Sequence, residues 1–297
     1  MKKIHTLLFL IIGCSIFAQN RFYYEYKFIP DSTNRADIKK EMMLLDIDKN
    51  GSNYYSQDKF IADSTSKADL ERQLKAGSGN FTINRTDKQG SVGYKVTKQY
   101  PDFKTFLFLK VSSDNYKIAE DQKPEWKILP DKQKVGEYNA QKATTSYGGR
   151  EWIAWFSTDI PFQDGPYKFY GLPGLIVKIE DKTGSHSMTL VGNKTVQTTQ
   201  NAEPELPQGI QLFGAGQDIE ANKNQFKKVW KAYLNDPTKN MREMMMKNSE
   251  TNRVIFKSKT ADGREISDPN QVFREVEKRT KESLKKNNNS IEPDLYK

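Results

Sequence analysis

Residues 141–156 read QKATTSYGGREWIAWF, and the reading of this stretch decides the fold class. Two adjacent glycines, Gly148 and Gly149, lie between runs rich in β-branched and aromatic residues, and they accept the positive φ that a two-residue primed turn requires. Tyr147 then faces Arg150. Counting outward pairs Thr145 with Trp152, Ala143 with Ala154 and Gln141 with Phe156, so Trp152, Ala154 and Phe156 share one face while Ile153 and Trp155 share the other. Aromatic residues on both faces mean a strand covered on both sides, or one that lines a groove. Trp152 and Trp155 are therefore candidate contacts for a ligand or partner.

Downstream, residues 164–176 read DGPYKFYGLPGLI. Three glycines and two prolines in so short a span fix the backbone, and the residues between them must pack somewhere. Pro173 presets φ for the second position of a turn, and Gly174 can take the positive φ of a type II turn at the next. Two readings stand side by side. In one, the segment is a plug that caps the core and sets the strand beginning at Leu175. In the other, it is the lip of a binding groove, with Tyr167, Phe169 and Tyr170 as flat apolar contacts and Lys168 as an anion contact. A second hairpin follows, from Leu175–Glu180 through Asp181-Lys182-Thr183-Gly184 and back through Met188 to Val191.

Outward from these hairpins the pattern stays β-rich. Strands are predicted at 21–28, 42–47, 91–99, 103–111, 116–118 and 138–147. A short helix is predicted at 63–75. After a polar loop at 197–208, residues 218–234 place Phe226, Val229, Trp230 and Tyr233 on one helical stripe, which Asp236-Pro237 stops. Further helix is expected at 238–247, a short hairpin around 254–266, and a last helix opening at Pro269. The expected fold is α+β: a curved, mostly antiparallel sheet or partly open barrel, with C-terminal helices packed on it. The expected organisation is a signal peptide at 1–18, a β-rich core at 19–196 and a helical C-terminal part with a polar tail at 197–297.

The composition narrows the chemistry. The 297 residues include 2 His and 1 Cys, so a Ser-His-Asp site or a zinc site lacks raw material. His186 stands beside Ser185, but adjacent strand residues point to opposite faces. Asp46-Ile47-Asp48-Lys49-Asn50-Gly51 matches the opening of a calcium-binding EF-hand loop, but position twelve is Gln57 and the flanks read as strands. Asn50-Gly51 is instead a hairpin turn. No catalytic residue, metal ligand or cofactor motif is assigned. A carboxylate-based hydrolase of envelope peptide or glycan remains as an alternative through Glu151, Asp159 and Asp164, as does a carrier of an apolar molecule such as a lipid.

At the N-terminus, Lys2 and Lys3 precede the apolar run Leu7–Ile12, which is too short to span a bilayer and reads as an export signal. Ala18 offers the small residue needed before cleavage, so Gln19 begins the mature chain. Ile11-Ile12-Gly13-Cys14 gives a competing lipoprotein reading, with a lipid on Cys14. Export implies the periplasm or cell envelope, or a secreted or lipid-anchored form, with no transmembrane span after signal removal. The net charge of +9 invites a nucleic-acid reading, yet basic and acidic residues are interspersed and no nucleic-acid-binding signature is present. The basic run Lys278–Lys286 reads as a solvated helix face or tail.

Gly171-Leu172-Pro173-Gly174-Leu175-Ile176 spells GLPGLI, and the chain resembles the GLPGLI family of exported proteins in this hexapeptide. It also resembles that family in Gly149-Arg150 to Phe156, Ile160-Pro161 and Asp164-Gly165-Pro166. The resemblance implies export in a Gram-negative bacterium and supplies no catalytic residue. Together these readings predict a non-enzymatic envelope protein that binds a small apolar ligand or a protein partner through the aromatic hairpin and the GLPGLI loop.

Overall fold

The computed structural model describes residues 17–76, 90–198, 217–248, 258–259 and 264–297. In chain order these form β1 (Phe17–Phe28), β2 (Lys39–Ile47), β3 (Gly51–Ser56), α1 (Gln57–Ala76), β4 (Lys95–Gln99), β5 (Lys104–Val111) and β6 (Asp114–Glu120). Then come β7 (Lys127–Val135), β8 (Tyr138–Tyr147), β9 (Arg150–Ser157), β10 (Leu175–Asp181), β11 (His186–Thr198) and β12 (Ile219–Asn222). The chain ends in α2 (Lys223–Asn235), α3 (Lys239–Asn248), the short ladder of β13 (Ser258–Lys259) and β14 (Glu265–Ile266), α4 (Pro269–Lys286) and a 3-10 turn at Pro293–Leu295.

Twelve strands make one sheet in the order β12-β6-β5-β4-β3-β2-β1-β11-β10-β9-β8-β7. Every pairing is antiparallel except β12 with β6, which is parallel. Two meanders leave β1 in opposite directions, and β1 with β11 joins them. The sheet does not close, because β7 and β12 remain edges; the barrel alternative is corrected to an open sheet. β7 protects its edge with a register break between Ile128 and Lys132 and with exposed lysines, devices that discourage pairing with another chain.

The central hairpin has the expected register, with Tyr147 opposite Arg150, Thr145 opposite Trp152, Ala143 opposite Ala154 and Gln141 opposite Phe156. Gly148 and Gly149 take φ of 62° and 84°. At the β2–β3 turn, the Asp48 carboxylate accepts from the backbone N–H of Asn50 at 2.7 Å and of Gly51 at 3.1 Å, so its oxygen serves the turn. β3 is the return strand of the hairpin turn expected at Asn50-Gly51. Other elements depart from expectation. β7 was not predicted, because Pro130 and its three lysines read as loop. α1 begins at Gln57, six residues before the predicted start, because Ser56 Oγ accepts from the Lys59 N–H at 3.1 Å and organises the first turn. Residues 219–222 add to β6 as a strand before α2, whose start is a capping box between Asn222 and Gln225. β11 runs past the expected boundary at 196 to Thr198. Much of the 197–208 loop and of the 254–266 hairpin lies outside the described residues.

The core lies on one face of the sheet. It collects Tyr24, Tyr26, Met43, Leu45, Tyr54, Val96, Leu107, Ile118, Trp152, Phe156 and Leu190 from the strands. The segment between β9 and β10 folds onto that face as a plug: every residue from Asp164 to Tyr170 is buried. Phe169 meets Trp152 edge-on at 4.9 Å and Tyr147 at 5.5 Å. Phe226 of α2 and Ile291 and Leu295 of the C-terminal tail complete the same core, and Trp230 packs against Tyr296 at 5.0 Å. α1 stands on the opposite face, since Tyr55, which alternates with the core residue Tyr54, meets Phe60 at 5.4 Å.

The turn at the end of the plug is tighter than the predicted type II turn. The Gly174 N–H donates to the Leu172 carbonyl at 2.8 Å, a three-residue closure around Pro173. Gly174 has φ of 152°, and a Cβ there would stand 2.2 Å from the Ser157 carbonyl oxygen. Gly174→Ala is therefore expected to cost about 3 kcal/mol or more, read as a lower denaturant midpoint at unchanged slope.

Candidate functional site

The plug is held by one lysine. Lys98 on β4 and Asp164 at the plug's start are both fully buried and form an ion pair. The Lys98 ammonium also donates to the carbonyls of Gly165 at 2.7 Å, Tyr167 at 3.1 Å and Phe169 at 3.3 Å. Asp164 in turn accepts from the Tyr100 hydroxyl and from the Gly165 N–H. Burial lowers the Lys98 pKa, and Asp164 works against that shift. The strand after the plug is tied down as well: Ile176 N–H donates to the Asp164 carbonyl at 3.0 Å, and the Tyr24 hydroxyl donates to the Ile176 carbonyl at 2.7 Å.

A second buried cluster joins the plug to the C-terminal tail. Lys168 Nζ lies 2.7 Å from Glu120 and 2.5 Å from Glu292; Lys223 Nζ lies 2.6 Å from Glu120 and 3.1 Å from Glu292. Two cations and two carboxylates alternate in this ring. Burial alone would raise the Glu120 pKa, but Lys168 and Lys223 outweigh it and hold the group below its ordinary value. Burial likewise pulls Lys223 down, and Glu292 and Glu120 reverse the shift. The Tyr167 hydroxyl donates to Glu292 at 2.7 Å.

The tail also crosses the central hairpin. Arg150 donates to the Ser290 carbonyl, the Asn289 side chain and Asp181. His186 Nε2 lies 3.1 Å from the Asn289 carbonyl, which only accepts, so Nε2 carries the proton and Nδ1 accepts from the Tyr26 hydroxyl at 2.7 Å. Burial, then the neighbouring Arg150, hold the His186 pKa down at about 3. Ser185 binds Thr183 and makes no pair with His186.

These networks settle where the predicted contacts lie. Trp152, Trp155, Tyr167, Lys168, Phe169 and Tyr170 are all buried, so the lip reading of the plug does not fit: their faces are spent on the core, Lys168 is neutralised by Glu120 and Glu292, and Trp126 caps the Tyr170 carbonyl at 2.7 Å. Of the motif residues, Gly165, Pro166, Leu172, Gly174, Leu175 and Ile176 are buried, and Gly171 and Pro173 face solvent. A Cβ on Gly165 would meet Ile176 at 2.8 Å. The candidate carboxylates are dispersed. Asp164 is sealed against Lys98, Glu151 is bonded by Ser146, and Asp159 lines an open groove to which neither of the other two contributes. Ala18 and Gln19 sit at the start of β1, opposite Gln197 and Val196; Lys2, Lys3, Leu7–Ile12 and Cys14 lie outside the described residues. Among the described residues, no helix is long and apolar enough to cross a membrane, and no group of three or more His, Cys, Asp or Glu side chains is placed to hold a metal ion.

Two of the grooves among the described residues lie on the sheet. One, of about 460 Å³, lies at the β7–β9 edge between Lys132, Lys134, Gln141 and Asp159. The other, of about 310 Å³, lies between α1 and the outer face of β2–β4. Tyr55 and Phe60 form its aromatic wall, and Lys59, Asp63 and Lys95 its rim. Its floor is locked: Arg21 grips Asp46 with two hydrogen bonds of 2.6 and 2.7 Å, and the Tyr55 hydroxyl donates to Asp46 at 2.6 Å. Sequence reading missed this site, because Tyr55 and Phe60 meet only once α1 starts at Gln57.

The fold and its two networks define an open, mostly antiparallel sheet with an internal plug locked by buried charges. The hairpin and plug are also where the chain meets a known family: residues 147–178 match the profile of a protein of unknown function, Porph_ging. No curated protein matches the chain. Two structures of PNGF-II, in the P21 and C2 space groups, are similar with a TM-score of 0.45 at 14% and 15% identity, over 72% of this chain. The chain spans 33% of the length of those structures.

Removing Lys98 leaves Asp164 buried without its cation, so Lys98→Met is expected to lower stability by about 3–5 kcal/mol in chemical denaturation. His186 gives a separate pH signature. Its folded pKa of about 3 lies below the ordinary value of 6.5, so the unfolded chain takes up a proton first and stability falls as pH drops below about 6.5. The slope is about 0.7 kcal/mol per pH unit at pH 6.5 and approaches about 1.4 near pH 5. His186→Phe is expected to be less stable at neutral pH and to lose that slope, read as urea midpoints across the pH series.

Proposed function

We propose that this protein is an exported, non-enzymatic binding protein of the cell envelope, and that its ligand seats in the groove between α1 and β2–β4. The observation that carries the reading is the contrast between the two aromatic groups. The plug aromatics are consumed by the core, whereas Tyr55 and Phe60 wall an open groove, Phe60 being 47% exposed. Binding sites combine apolar walls with a few fixed polar groups, and the Arg21–Asp46–Tyr55 lock supplies a floor that does not need to reorganise. The aromatic hairpin and GLPGLI loop serve that site indirectly, by fixing the sheet on which it stands. The hexapeptide at 171–176, inside the segment that matches the uncharacterised family, supports grouping the chain with GLPGLI-type exported proteins, as does the Lys2–Ile12 leader. The dispersal of Glu151, Asp159 and Asp164 speaks against the paired-carboxylate hydrolase, and the plug fills the space a carried lipid would need.

Two measurements test this. Full-length chain made in a Gram-negative host is expected to appear outside the cytoplasm with Gln19 as its first residue by intact mass; a lipid-modified Cys14 would replace free release with anchoring, and unprocessed cytoplasmic protein would overturn export. In a thermal-shift screen of small molecules and glycans, a stabilising ligand is expected whose effect disappears in Phe60→Ala while the unliganded melting temperature stays within about 2 °C. Ligands unaffected by that change, or turnover of an envelope peptide or glycan abolished by Asp159→Asn, would overturn the groove reading.

A further inference from the structure

We propose that the α1 groove takes an acidic oligosaccharide, an inference that rests on the groove being the binding site. The argument begins with the pairing register. On the outer face Tyr23 stands opposite Leu44, Leu44 opposite Tyr55, Tyr55 opposite Lys95, Lys95 opposite Phe108 and Phe108 opposite Lys117. One row of paired residues thus crosses β1 to β6, with an aromatic residue on every second strand; Leu44 is buried, so the open stretch of the row beside the groove is Tyr55, Lys95 and Phe108. Strands lie about 4.8 Å apart, so the rings repeat at roughly 10 Å, close to the length of a disaccharide unit. Tyr23, Tyr55 and Phe108 are each partly exposed. Phe60 adds a side wall where α1 meets the row.

The charges select the sign of the ligand. Inside the groove Asp46 is answered by Arg21 at 2.6 Å, and Asp63 by Lys59 at 3.2 Å. Lys95 remains as the surplus cation, with its Nζ 4.8 Å from the Phe108 centroid. Further along, Lys117 lies over Phe106 and Lys194 over Tyr23. Phe108 and Tyr23 thus each carry an ammonium over the ring, and Tyr55 stands opposite Lys95 in the register, whereas Lys117 is already paired with Glu220 at 2.8 Å. A uronic acid residue matches this pairing, laying its apolar C–H face on a ring and its carboxylate against the neighbouring lysine.

Two other ligand classes fit less well. An extended peptide gains affinity from backbone hydrogen bonds at a sheet edge, but this row crosses a sheet face, where the strands already pair with one another. A lipid tail needs an enclosed apolar slot, and this groove is open and rimmed by Lys59, Asp63 and Lys95.

The experiment is titration calorimetry of the full chain with a short oligogalacturonate, its fully methyl-esterified form and poly-L-glutamate, at low and high salt. The acid form is expected to bind with salt-sensitive affinity, and the ester and polyglutamate at least about tenfold more weakly. Lys95→Gln and Phe60→Ala, both at exposed side chains, should each weaken the acid form by about tenfold, and Lys132→Gln in the other groove should leave it unchanged. Equal binding of the ester, equal binding of polyglutamate, no binding of the acid form, or indifference to Lys95→Gln and Phe60→Ala would each overturn the proposal. A neutral ligand from the thermal-shift screen that is lost with Phe60→Ala would leave the groove standing and remove only the acidic-sugar assignment; failure of every ligand at Phe60 removes both.

Discussion

The ammonium of Lys98, buried under the plug, is the interaction on which the rest of the structure depends. It neutralises Asp164 and binds three alternate plug carbonyls, those of Gly165, Tyr167 and Phe169, so it satisfies in one place backbone groups that an irregular segment cannot pair with itself. Buried backbone acceptors must find donors, and a loop driven into a core is where they most often fail. A hydrophobic residue at 98 would fill the space but leave those carbonyls bare. The ion pair need not be a net source of stability; its effect here is to allow only one path for the segment from 164 to 170.

The four-charge ring of Glu120, Lys168, Lys223 and Glu292 extends the same logic to longer range. Its members come from β6, the plug, α2 and the C-terminal tail, four segments that share little backbone pairing. Alternating charges make the cluster neutral as a set, so loss of one segment leaves an unbalanced charge inside the protein. Arg150, His186 and Asn289 add a second tie between the tail and the central hairpin. The tail therefore closes the core as a strap. Gly148 and Gly149 make room for it, since a Cβ at either position would stand 2.6 Å from Glu292 or Asp294.

The hairpin register was legible because local rules suffice for it: a Gly-Gly turn fixes the pairing, and alternation does the rest. The antiparallel, helix-decorated class followed from the same signals, as did the α2 stripe of Phe226, Val229, Trp230 and Tyr233. That the segment plugs the core was one of two readings open from sequence; what decides between them was not legible. Tyr167, Lys168 and Phe169 have the composition of a recognition surface, and only the distant partners Lys98, Glu120 and Glu292 show that they are interior. β7 was hidden because Pro130 and its lysines protect an edge, and edge protection erases the strand pattern. The α1 groove was invisible for a similar reason: Asp46, Tyr55, Phe60 and Lys95 come from separate elements, and their convergence depends on register across two strand pairs.

The joining of the two meanders at β1 and β11 has a consequence for how the protein is made. β1 can pair with β2 as soon as the first turn is synthesised, but its other side waits for a partner some 170 residues further along the chain. Until then a strand carrying Phe22, Tyr24 and Tyr26 presents an unpaired edge, the kind of surface that recruits neighbouring chains. Large sequence separation also slows the search for the correct partner. A ribosome or secretion pore that feeds this polypeptide from its first residue onward thus creates a vulnerable half-sheet, and cellular holdases that shield nascent strands would govern its yield more than the equilibrium stability of the finished molecule.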